Sequence, residues 1–287
     1  MRCFLVVLLT TVLTTSCRIA GIQPVSPLAV EQRSLPHRFT IVSWNVQKEN
    51  DERMQADLYA LLRRQRPELV FLQEATAELL DLTPLPGRFA PSWQYPLLSG
   101  SATGVMTLSQ VDPVQSEAVQ TRWREFFLAT PKVALATVYP LPTGARLLAI
   151  NVHCLNFERW GTFKLRAQLT ALKRIMERHT GPILLGGDFN TWNQRRLRLV
   201  TALARELNLT EVRDFSGTPK TGDRQSTILN WLLGIDRDLP LDRVYYRGLS
   251  PLSAAVFPAS SSDHSALQVT FSVNGASATD VGSIPTP

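Results

Sequence analysis

The sequence predicts one α/β sandwich domain, over residues 38–273. Two observations lead to this fold class. Short apolar runs that are rich in β-branched and aromatic side chains recur along the chain, as buried strands do. Amphipathic helices lie between many of these runs, and the sequence contains no internal repeat. Helices that alternate with strand pairs and with single strands are typical of a layered α/β domain.

The first half of the domain begins with a β-rich run at residues 39–46. A helix is predicted over residues 52–65, because apolar residues recur at spacings of three and four and the pattern stops before a proline. A short strand at residues 69–72 and a short helix near residues 75–81 follow. Residues 82–100 are rich in proline, which predicts a loop.

The second half of the domain combines a predicted hairpin with helices and buried strands. The hairpin pairs residues 133–139 with residues 146–152 across a connection that contains prolines and a glycine. Residues 214–240 are expected to be irregular. The other predicted elements are helices at 164–179 and 195–207 and strands at 183–185, 242–246 and 266–273.

The N-terminal segment, residues 1–17, has the pattern of a signal peptide. Its apolar run follows Arg2 and is shorter than the roughly 20 residues of a membrane-spanning helix. The residues before Cys17 resemble the signal of a bacterial lipoprotein, in which that cysteine becomes the lipidated first residue. We therefore expect a protein of the bacterial cell envelope, exported or attached to the membrane through Cys17. The alternative is a cytoplasmic protein with an uncleaved apolar N-terminus.

Two segments that flank the domain have the composition of loops. Residues 18–37 contain prolines with scattered Ser and Gln, and we expect a tether between the signal peptide and the domain. Residues 274–287 are rich in Ser, Gly and Pro and are expected to form a flexible tail.

The composition is that of a globular protein, with 44% hydrophobic and 19% charged residues among 287. It excludes disordered, collagen-like and multi-span membrane proteins. The net charge is +6, and all but five of the 30 basic residues are arginine. Arginine binds phosphate in a bidentate manner, so an acidic or phosphorylated substrate is one interpretation, and coding bias is the other. The charge alone therefore does not establish a nucleic-acid-binding protein.

Polar side chains collect where the predicted strands begin or end. Loops at strand ends are where α/β folds place catalytic groups. Each residue could singly be a turn former or a helix cap, but six strand ends that each supply a carboxylate, an amide or an imidazole favour one functional site. These residues are Asn45, Glu74, His153, Asp188, Asn190, Asp242, Asp263 and His264.

Metal-assisted hydrolysis of a phosphoester is the chemistry that such a set supports. A hard oxygen ligand such as Glu74 suits Mg²⁺ or Mn²⁺, and the sequence has no Cys/His cluster that suggests structural zinc. A second carboxylate can activate water, while imidazole and amide groups hold phosphate oxygens.

Cys154 is adjacent to His153, which suggests a cysteine nucleophile with a histidine base. Neighbouring residues of a strand point to opposite faces, so a buried structural thiol is the preferred interpretation. If the signal is removed and Cys17 carries lipid, no second thiol remains for an intramolecular disulfide.

The strand-end motifs resemble those of the endonuclease/exonuclease/phosphatase superfamily, which includes DNase I-like nucleases, abasic-site endonucleases, sphingomyelinases and inositol phosphatases. The resemblance extends from about Phe39 to Val273, and the motifs follow the family order: SWNV, LQE, NVH, GGDFN, LDRVYY and SDH. The segments TGVMTLS, ATVYPLP, GDFNTW and VYYRGL are similar to the YafD-like branch. The resemblance implies a four-layered sandwich, in which two β-sheets pack face to face with helices outside.

The resemblance also implies a metal side of the site. Asn45 and Glu74 match the first-motif asparagine and the glutamate that binds the metal, and Asp263 matches a carboxylate on the same side. Mg²⁺ or Mn²⁺ is the implied cofactor.

On the catalytic side, the resemblance implies that His153 contacts the scissile phosphate and that the amide of Asn190 grips it. Asp188 matches the aspartate that positions or deprotonates the attacking water. Asp242 matches the carboxylate that orients the last histidine. His264 matches that histidine, which polarises a phosphoryl oxygen or takes part in proton transfer.

Arg166 and Trp192 are further candidates for substrate binding. Arg166 lies on the helix after His153, where relatives carry an Arg/Gln pair at a shifted spacing. Trp192 could stack on a base or a sugar, and rim or core packing is the alternative. Residues 195–198 hold three arginines that are either a solvated helix face or a contact with a polyanion.

The leading functional prediction is a Mg²⁺-dependent phosphodiester hydrolase of nuclease type. We expect nucleic acid as the first substrate class and a monomeric chain. A phosphatase or phosphodiesterase that acts on lipid or inositol phosphates is the alternative within the enzymes, and membrane attachment would suit it. A non-catalytic binding protein on the same scaffold is the alternative from another class.

Overall fold

The structure is a computed structural model that describes part of the chain. The predicted signal peptide, Cys17 and the tail beyond residue 274 lie outside the described residues. No helix among the described residues is long and apolar enough to cross a membrane. The described residues are 23–25, 32–46, 52–80, 83–92, 102–124, 131–156, 158, 161–218, 236, 238–257, 259 and 261–274.

The described residues contain helices and strands in alternation. The helices are α1 (Glu52–Gln65), α2 (Phe163–Glu177) and α3 (Gln194–Glu206), with a 3-10 helix at Ala77–Leu80. The strands are β1 (Gln23–Val25), β2 (Arg38–Asn45), β3 (Leu69–Thr76), β4 (Gly87–Pro91), β5 (Thr103–Ser109), β6 (Gln115–Arg124), β7 (Pro131–Pro140), β8 (Arg146–His153), β9 (Ile183–Asp188), β10 (Thr210–Glu211), β11 (Asp242–Arg247), β12 (Leu249–Phe257) and β13 (Ala266–Val273).

The strands form two sheets. The seven-stranded sheet has the order β1-β4-β5-β3-β2-β13-β12, and the six-stranded sheet has the order β10-β11-β9-β8-β7-β6. Two neighbouring pairs, β2–β3 and β8–β9, are parallel. The strands β11 and β13 are antiparallel to β9 and β2 and begin where those strands end. The ends of β2, β8 and β9 therefore lie at the same edge of the sandwich as the starts of β11 and β13.

Buried apolar clusters hold the layers together. Phe39 and Phe71 of the seven-stranded sheet pack against Leu147 and Leu184 of the six-stranded sheet. The apolar stripe of α1 covers the outer face of the seven-stranded sheet. The stripes of α2 and α3 cover the outer face of the six-stranded sheet. Burial of these faces drives the layers together, and the predicted four-layered sandwich is confirmed.

Most predicted helices and strands are confirmed, and α1 has the predicted bounds. The loop predicted at residues 82–100 is wrong in part, because β4 crosses it. Strands β5, β6, β10 and β12 were not predicted. Strand β5 lies inside the seven-stranded sheet, and its sequence was noted only as the motif TGVMTLS. Strands β6, β10 and β12 lie at sheet edges, where one side of the strand remains open to solvent.

Part of the segment predicted as a tether belongs to the folded domain. Residues 23–25 form β1 and pair with β4. Leu35 is fully buried in the cluster between the sheets, and its N–H donates to the carbonyl of Pro140 at 3.0 Å. Burial of this leucine anchors the chain before β2, although the surrounding proline-rich composition suggested a tether.

Candidate active site

Three neighbouring strands place His153, Asp188 and Asp242 in one row. The row lies at the edge of the sandwich where β8 and β9 end and β11 begins. The parallel pair β8–β9 aligns His153 with Asp188. The antiparallel pair β9–β11 aligns Asp188 with Asp242. None of the three residues is more than 4% exposed. The strand-end residues of the six-stranded sheet are therefore brought together as predicted.

The seven-stranded sheet supplies the groups that face this row. Asn45 ends β2, and Glu74 lies at an irregularity in β3 with a φ of 56°. A left-handed φ is rare outside glycine, and such strain occurs preferentially at functional positions. The Glu74 carboxylate reaches across to the other sheet, where its Oε1 lies 3.6 Å from Nε2 of His153.

Asp188 is the centre of a hydrogen-bond network. Its Oδ1 accepts the N–H of Asn190 at 2.8 Å, and its Oδ2 accepts the side-chain amides of Asn45 at 3.1 Å and of Asn190 at 3.3 Å. Nε2 of His153 lies 3.5 Å from Oδ2. Burial raises the pKa of Asp188 to about 7, although the charge of His264 opposes the rise. The carboxyl group can therefore exchange a proton near neutral pH, as a general base must.

Asp242 pairs with His264 across the two sheets. Its Oδ2 lies 2.6 Å from Nδ1 of the imidazole. Burial alone would lower the pKa of His264, but the charge of Asp242 and its hydrogen bond outweigh burial and raise the pKa to about 10. The ring is therefore an imidazolium at neutral pH, and both of its nitrogens are donors. Its Nε2 lies 3.8 Å from Oδ1 of Asp263.

Lys132 stands beside Glu74, although sequence reasoning did not select it. Its Nζ lies 3.5 Å from Oε1 of Glu74, and its side chain is only 7% exposed. A lysine is almost never buried to this extent unless it is paired. Lys132 therefore adds a positive charge to the row of polar groups. Its position near the start of β7, beside β8, could not be read from one isolated lysine in an apolar run.

Glu74, Asn45 and Asp263 are the oxygen donors that could hold a metal ion. Magnesium is usually bound through one or two carboxylates and keeps places for water and phosphate oxygens, and this donor set has that chemistry. The ammonium of Lys132 at Glu74 also indicates that this carboxylate faces a position that attracts a cation. Within the described ranges, no three or more His, Cys, Asp or Glu side chains are grouped to hold an ion. Amide, water and phosphate oxygens would complete the coordination.

Gly187 lets β8 and β9 approach each other at the row. Its φ is 139°, and a Cβ at this position would lie 2.0 Å from the carbonyl oxygen of Val152. A side chain would therefore separate the two strands that align His153 with Asp188. The second glycine of the GGDFN motif has this packing role.

Asn151 joins the two sheets close to the row, because it lies on β8 two residues before His153. Its Nδ2 donates to the carbonyls of Leu72 and Met106 in the other sheet, at 3.1 Å and 2.9 Å. Its Oδ1 accepts the side-chain amide of Gln73 at 2.8 Å. All of these groups are buried, so the bonds fix the spacing of the sheets.

Two further polar residues support the loops. Gln168 was noted only as the glutamine of the Arg/Gln pair with Arg166, and Arg196 only as a member of the arginine cluster, and neither was assigned a supporting role. Gln168 of α2 donates to the carbonyl of His153 at 2.9 Å and accepts the N–H of Leu155 at 3.0 Å. Arg196 of α3 donates to the carbonyl of Asn190 at 2.6 Å. Both lie on the buried stripes of their helices. A polar residue at an apolar position of a helical pattern is the signal that could have identified them.

The structure favours the packing alternative for Trp192. The residue is 9% exposed, its Nε1 donates to Oδ1 of Asn156 at 2.9 Å, and the guanidinium of Arg196 lies 5.2 Å from the ring centroid. These contacts therefore do not leave the ring of Trp192 as an open surface for stacking. Arg166 is exposed on the first turn of α2, outside the buried row, and its contact with substrate stays a prediction.

The arginine cluster at residues 195–198 divides into two environments. Arg195 and Arg198 are exposed, but Arg196 is 1% exposed, so the expectation of a uniform solvated face or polyanion contact is wrong for Arg196. Cys154 is fully buried, and burial raises its pKa. The interpretation of Cys154 as a structural thiol agrees with this burial.

Comparisons with known proteins identify the family. Residues 42–264 match the model of the endonuclease/exonuclease/phosphatase family. A UPF0294 protein of Vibrio parahaemolyticus is 34% identical over 245 residues, which are 82% of this chain and 78% of that protein. A UPF0294 protein of Klebsiella pneumoniae is 35% identical over 262 residues, which are 88% of this chain and 89% of that protein.

Solved structures share the fold at low sequence identity. The human Nocturnin catalytic domain with a bound sulfate anion has a TM-score of 0.62 and 21% identity, over 84% of this chain and 96% of that chain. D. rerio TDP2 complexed with a single-strand DNA product has a TM-score of 0.60 and 16% identity, over 82% of this chain and 99% of that chain. The motifs, the sandwich and these matches lead to one conclusion: the chain belongs to the endonuclease/exonuclease/phosphatase family.

Proposed function

We propose that the protein is a divalent-metal-dependent phosphodiester hydrolase in which water attacks phosphorus. The observation that carries this proposal is the row of His153, Asp188 and Asp242 with the charged His264 beside it. Attack of water on a phosphoester requires a base and a group that stabilises negative charge. The carboxylate of Asp188, which exchanges a proton near neutral pH, can be the base, and the imidazolium of His264 can stabilise the charge.

Asp188 positions the attacking water and takes its proton. Its carboxylate is held by Asn45 and Asn190, and burial raises its pKa to about 7. A base with this pKa is effective near neutral pH, because it is partly ionised and still accepts a proton. The family resemblance gives the Asn190 amide a second role, contact with a phosphoryl oxygen. Its Nδ2 donates to the carbonyl of Cys154 and to Oδ2 of Asp188, so this contact would replace one of those two bonds.

His264 stabilises the negative charge that develops on the phosphoryl group. Asp242 keeps the ring protonated and fixes its orientation, so that Nε2–H is a charged donor directed away from Nδ1. His153 and Lys132 add a second donor and a second positive charge, both beside Oε1 of Glu74. Charges that are fixed before the reaction lower the barrier without a cost of reorganisation.

Mg²⁺ or Mn²⁺ is the proposed cofactor, and Glu74, Asn45 and Asp263 would hold it. When bound, the ion neutralises phosphoryl charge and orients the phosphoester. The carboxylate of Glu74 and the amide of Asn45 lie on the seven-stranded sheet, opposite the row that contains the base. In this proposal the seven-stranded sheet supplies the ligands of the ion, and the six-stranded sheet supplies the base that acts on the water.

Nucleic acid is the proposed substrate class. The net charge of +6 favours a polyanion, and D. rerio TDP2, which shares the fold, has been solved with a single-strand DNA product. We also propose attachment to the cell envelope through lipidated Cys17. A lipid or inositol phosphate substrate is the second candidate, because such attachment would place the site beside lipid.

The test is hydrolysis of plasmid DNA, an abasic oligonucleotide, bis-p-nitrophenyl phosphate and inositol phosphates, each with Mg²⁺ and with EDTA. We expect turnover that EDTA abolishes and that Asp188→Asn and His264→Ala each reduce about 100-fold or more. The control is His37→Gln, since His37 is exposed at the opposite end of β2. No turnover of any substrate, together with no Mn²⁺ binding in calorimetry, would rule out the hydrolase.

A further inference from the structure

Arg196 is the member of the α3 arginine cluster that turns away from solvent. It shares the buried stripe of α3 with Val200, Leu203 and Ala204. A buried guanidinium is costly unless its donors are satisfied. Its partners lie in the two loops that carry the site: Nε donates to the carbonyl of Asn190 at 2.6 Å, and Nη2 donates to the carbonyl of Leu155.

Asn190 has a left-handed φ of 50°, a region that asparagine adopts more readily than other non-glycine residues. In this conformation its N–H donates to Oδ1 of Asp188 at 2.8 Å, and its Nδ2 donates to the carbonyl of Cys154 at 2.9 Å. Strained backbone persists only where the surrounding contacts determine it. The N–H and the side chain of Asn190 are bonded to Asp188 and Cys154, and the hydrogen bond from Arg196 fixes its carbonyl group.

Glu158 is the counter-ion of Arg196. Its Oε1 lies 3.6 Å from Nη1 of Arg196, and the two side chains are 2% and 1% exposed. Glu158 also accepts the N–H groups of Lys164 at 2.7 Å and Leu165 at 3.0 Å, at the start of α2. The buried pair therefore joins the loop after β8, the start of α2, the loop after β9 and α3.

We propose that Arg196 is a positioning residue that sets the conformation of Asn190, and through it the place of the Asp188 carboxylate. Glu158 fixes the guanidinium and ties it to the loop that follows His153. Arg196 itself does not touch substrate. The proposal rests on the proposed function for its kinetic consequences, whereas its structural part can be measured in a protein that turns nothing over.

Two variants separate positioning from simple stability. Arg196→Lys keeps a charge near Glu158, but one ammonium cannot reproduce the fork that reaches two carbonyls and a carboxylate. The double variant Arg196→Met with Glu158→Gln removes both charges, so that no buried charge remains unpaired. Arg205→Met is the matched control, since Arg205 is an exposed arginine of the same helix and lies outside the 195–198 cluster.

For both variants we expect kcat on bis-p-nitrophenyl phosphate to fall about 10- to 100-fold, with KM changed less than about twofold. The control retains wild-type kcat. In an Asn190→Ala background the Arg196 substitutions lower kcat little further, because the two residues act as a unit. If the double variant recovers both wild-type melting temperature and wild-type kcat, Arg196 is only a stabilising residue and the proposal is overturned.

Hydrogen exchange of the metal-free protein measures the effect of Arg196 on the loop around Asn190 and does not require enzymatic activity. Peptides that span residues 186–193 should exchange faster in Arg196→Lys than in the wild type and in Arg205→Met. If the wild type hydrolyses no substrate, the proposed function fails and exchange alone decides the positioning proposal. Unchanged exchange in these peptides would refute it in either case.

Discussion

The carboxylate of Asp242 lies 2.6 Å from Nδ1 of His264, although the two residues belong to different sheets. Asp242 begins β11 of the six-stranded sheet, and His264 precedes β13 of the seven-stranded sheet. Their contact forms only when the sheets are packed face to face. The positive charge of His264 therefore depends on the packing of the two sheets against each other.

Replacement of Asp242 by asparagine should remove that charge at neutral pH. The change keeps the size of the side chain, but burial of His264 is then no longer opposed, and its pKa falls. We expect kcat at pH 8 to drop about 100-fold, with a smaller loss at pH 6, where the imidazole can still bind a proton. Imidazole NMR titration and a pH–rate profile measure the two effects.

The wild-type pair also has a defined effect on stability. The pKa of His264 is raised in the folded state, so its contribution is complete below the unfolded value of about 6.5 and is lost as pH rises through about 10. Asp112→Asn is the control, because the Asp112 side chain is 62% exposed. An unchanged imidazole pKa in Asp242→Asn would contradict the role of Asp242.

Asp188→Asn should make the metal-free protein more stable at pH 8 while it abolishes activity. Burial raises the pKa of Asp188 to about 7. The folded state keeps a proton that the unfolded state loses, so stability falls as pH rises from about 4 to about 7. Asparagine removes this penalty, and the gain should be on the order of a few kcal/mol at pH 8 and vanish near pH 4.

Thermal unfolding in EDTA at pH 4 and pH 8 measures this difference, again with Asp112→Asn as the exposed control. A shift in melting temperature that is the same at both pH values would show that the gain comes from altered packing. In that case the carboxyl group of Asp188 is not the titrating base.

The strand-end residues could be predicted from the sequence because the pattern is local. Each short apolar run ends at a polar residue, and the topology then brings those ends to one edge. The boundaries of α1 were predictable for the same reason, since its apolar spacing and the following proline lie within one segment. The order of the strands and the spacing of the sheets are not local and were not predicted. The family resemblance supplied only the packing of two sheets face to face with helices outside.

The support of the site could not be predicted from the motifs. Lys132 lies 58 positions from its partner Glu74, and only the packing of two sheets brings them together. The left-handed φ of Glu74 and of Asn190 has no sequence signal comparable to a glycine. The sequence left stacking and packing open for Trp192, and the guanidinium of Arg196 lies over its ring. Long-range contacts decide these features, and periodicity does not report them.

Lys132→Met should separate metal binding from catalysis. The ammonium stands 3.5 Å from the Glu74 carboxylate and opposes a cation there, so its removal should tighten Mn²⁺ binding about threefold to tenfold. The same change removes positive charge beside the phosphoester, and kcat should fall about 10- to 100-fold. Titration calorimetry with Mn²⁺ and steady-state kinetics measure the two effects.

Lys173→Met is the control, because Lys173 makes ion pairs on the surface, with Glu177 and Glu206. It should change neither quantity. Weaker metal binding in Lys132→Met with an unaltered kcat would show instead that the lysine only holds Glu74 in place. Its proposed contribution to catalysis would then be wrong.

Gly187→Ala should damage the fold and the site together. The new Cβ would lie 2.0 Å from the carbonyl of Val152, a backbone atom that cannot move without separation of β8 and β9. We expect a loss of stability of roughly 3 kcal/mol or more and a kcat at least about 100-fold lower, since the pairing of His153 with Asp188 is disturbed.

Gly144→Ala is the matched control for this glycine. Gly144 also has a positive φ, at 81°, but apart from its two chain neighbours no residue has an atom within 4 Å of a Cβ built there. Its substitution therefore costs only backbone strain, about 1 kcal/mol, and leaves kcat unchanged. Urea unfolding and kinetics on the folded fraction measure both variants. Equal losses of stability would mean that backbone conformation, and not the close approach of β8 and β9, determines the need for glycine at position 187.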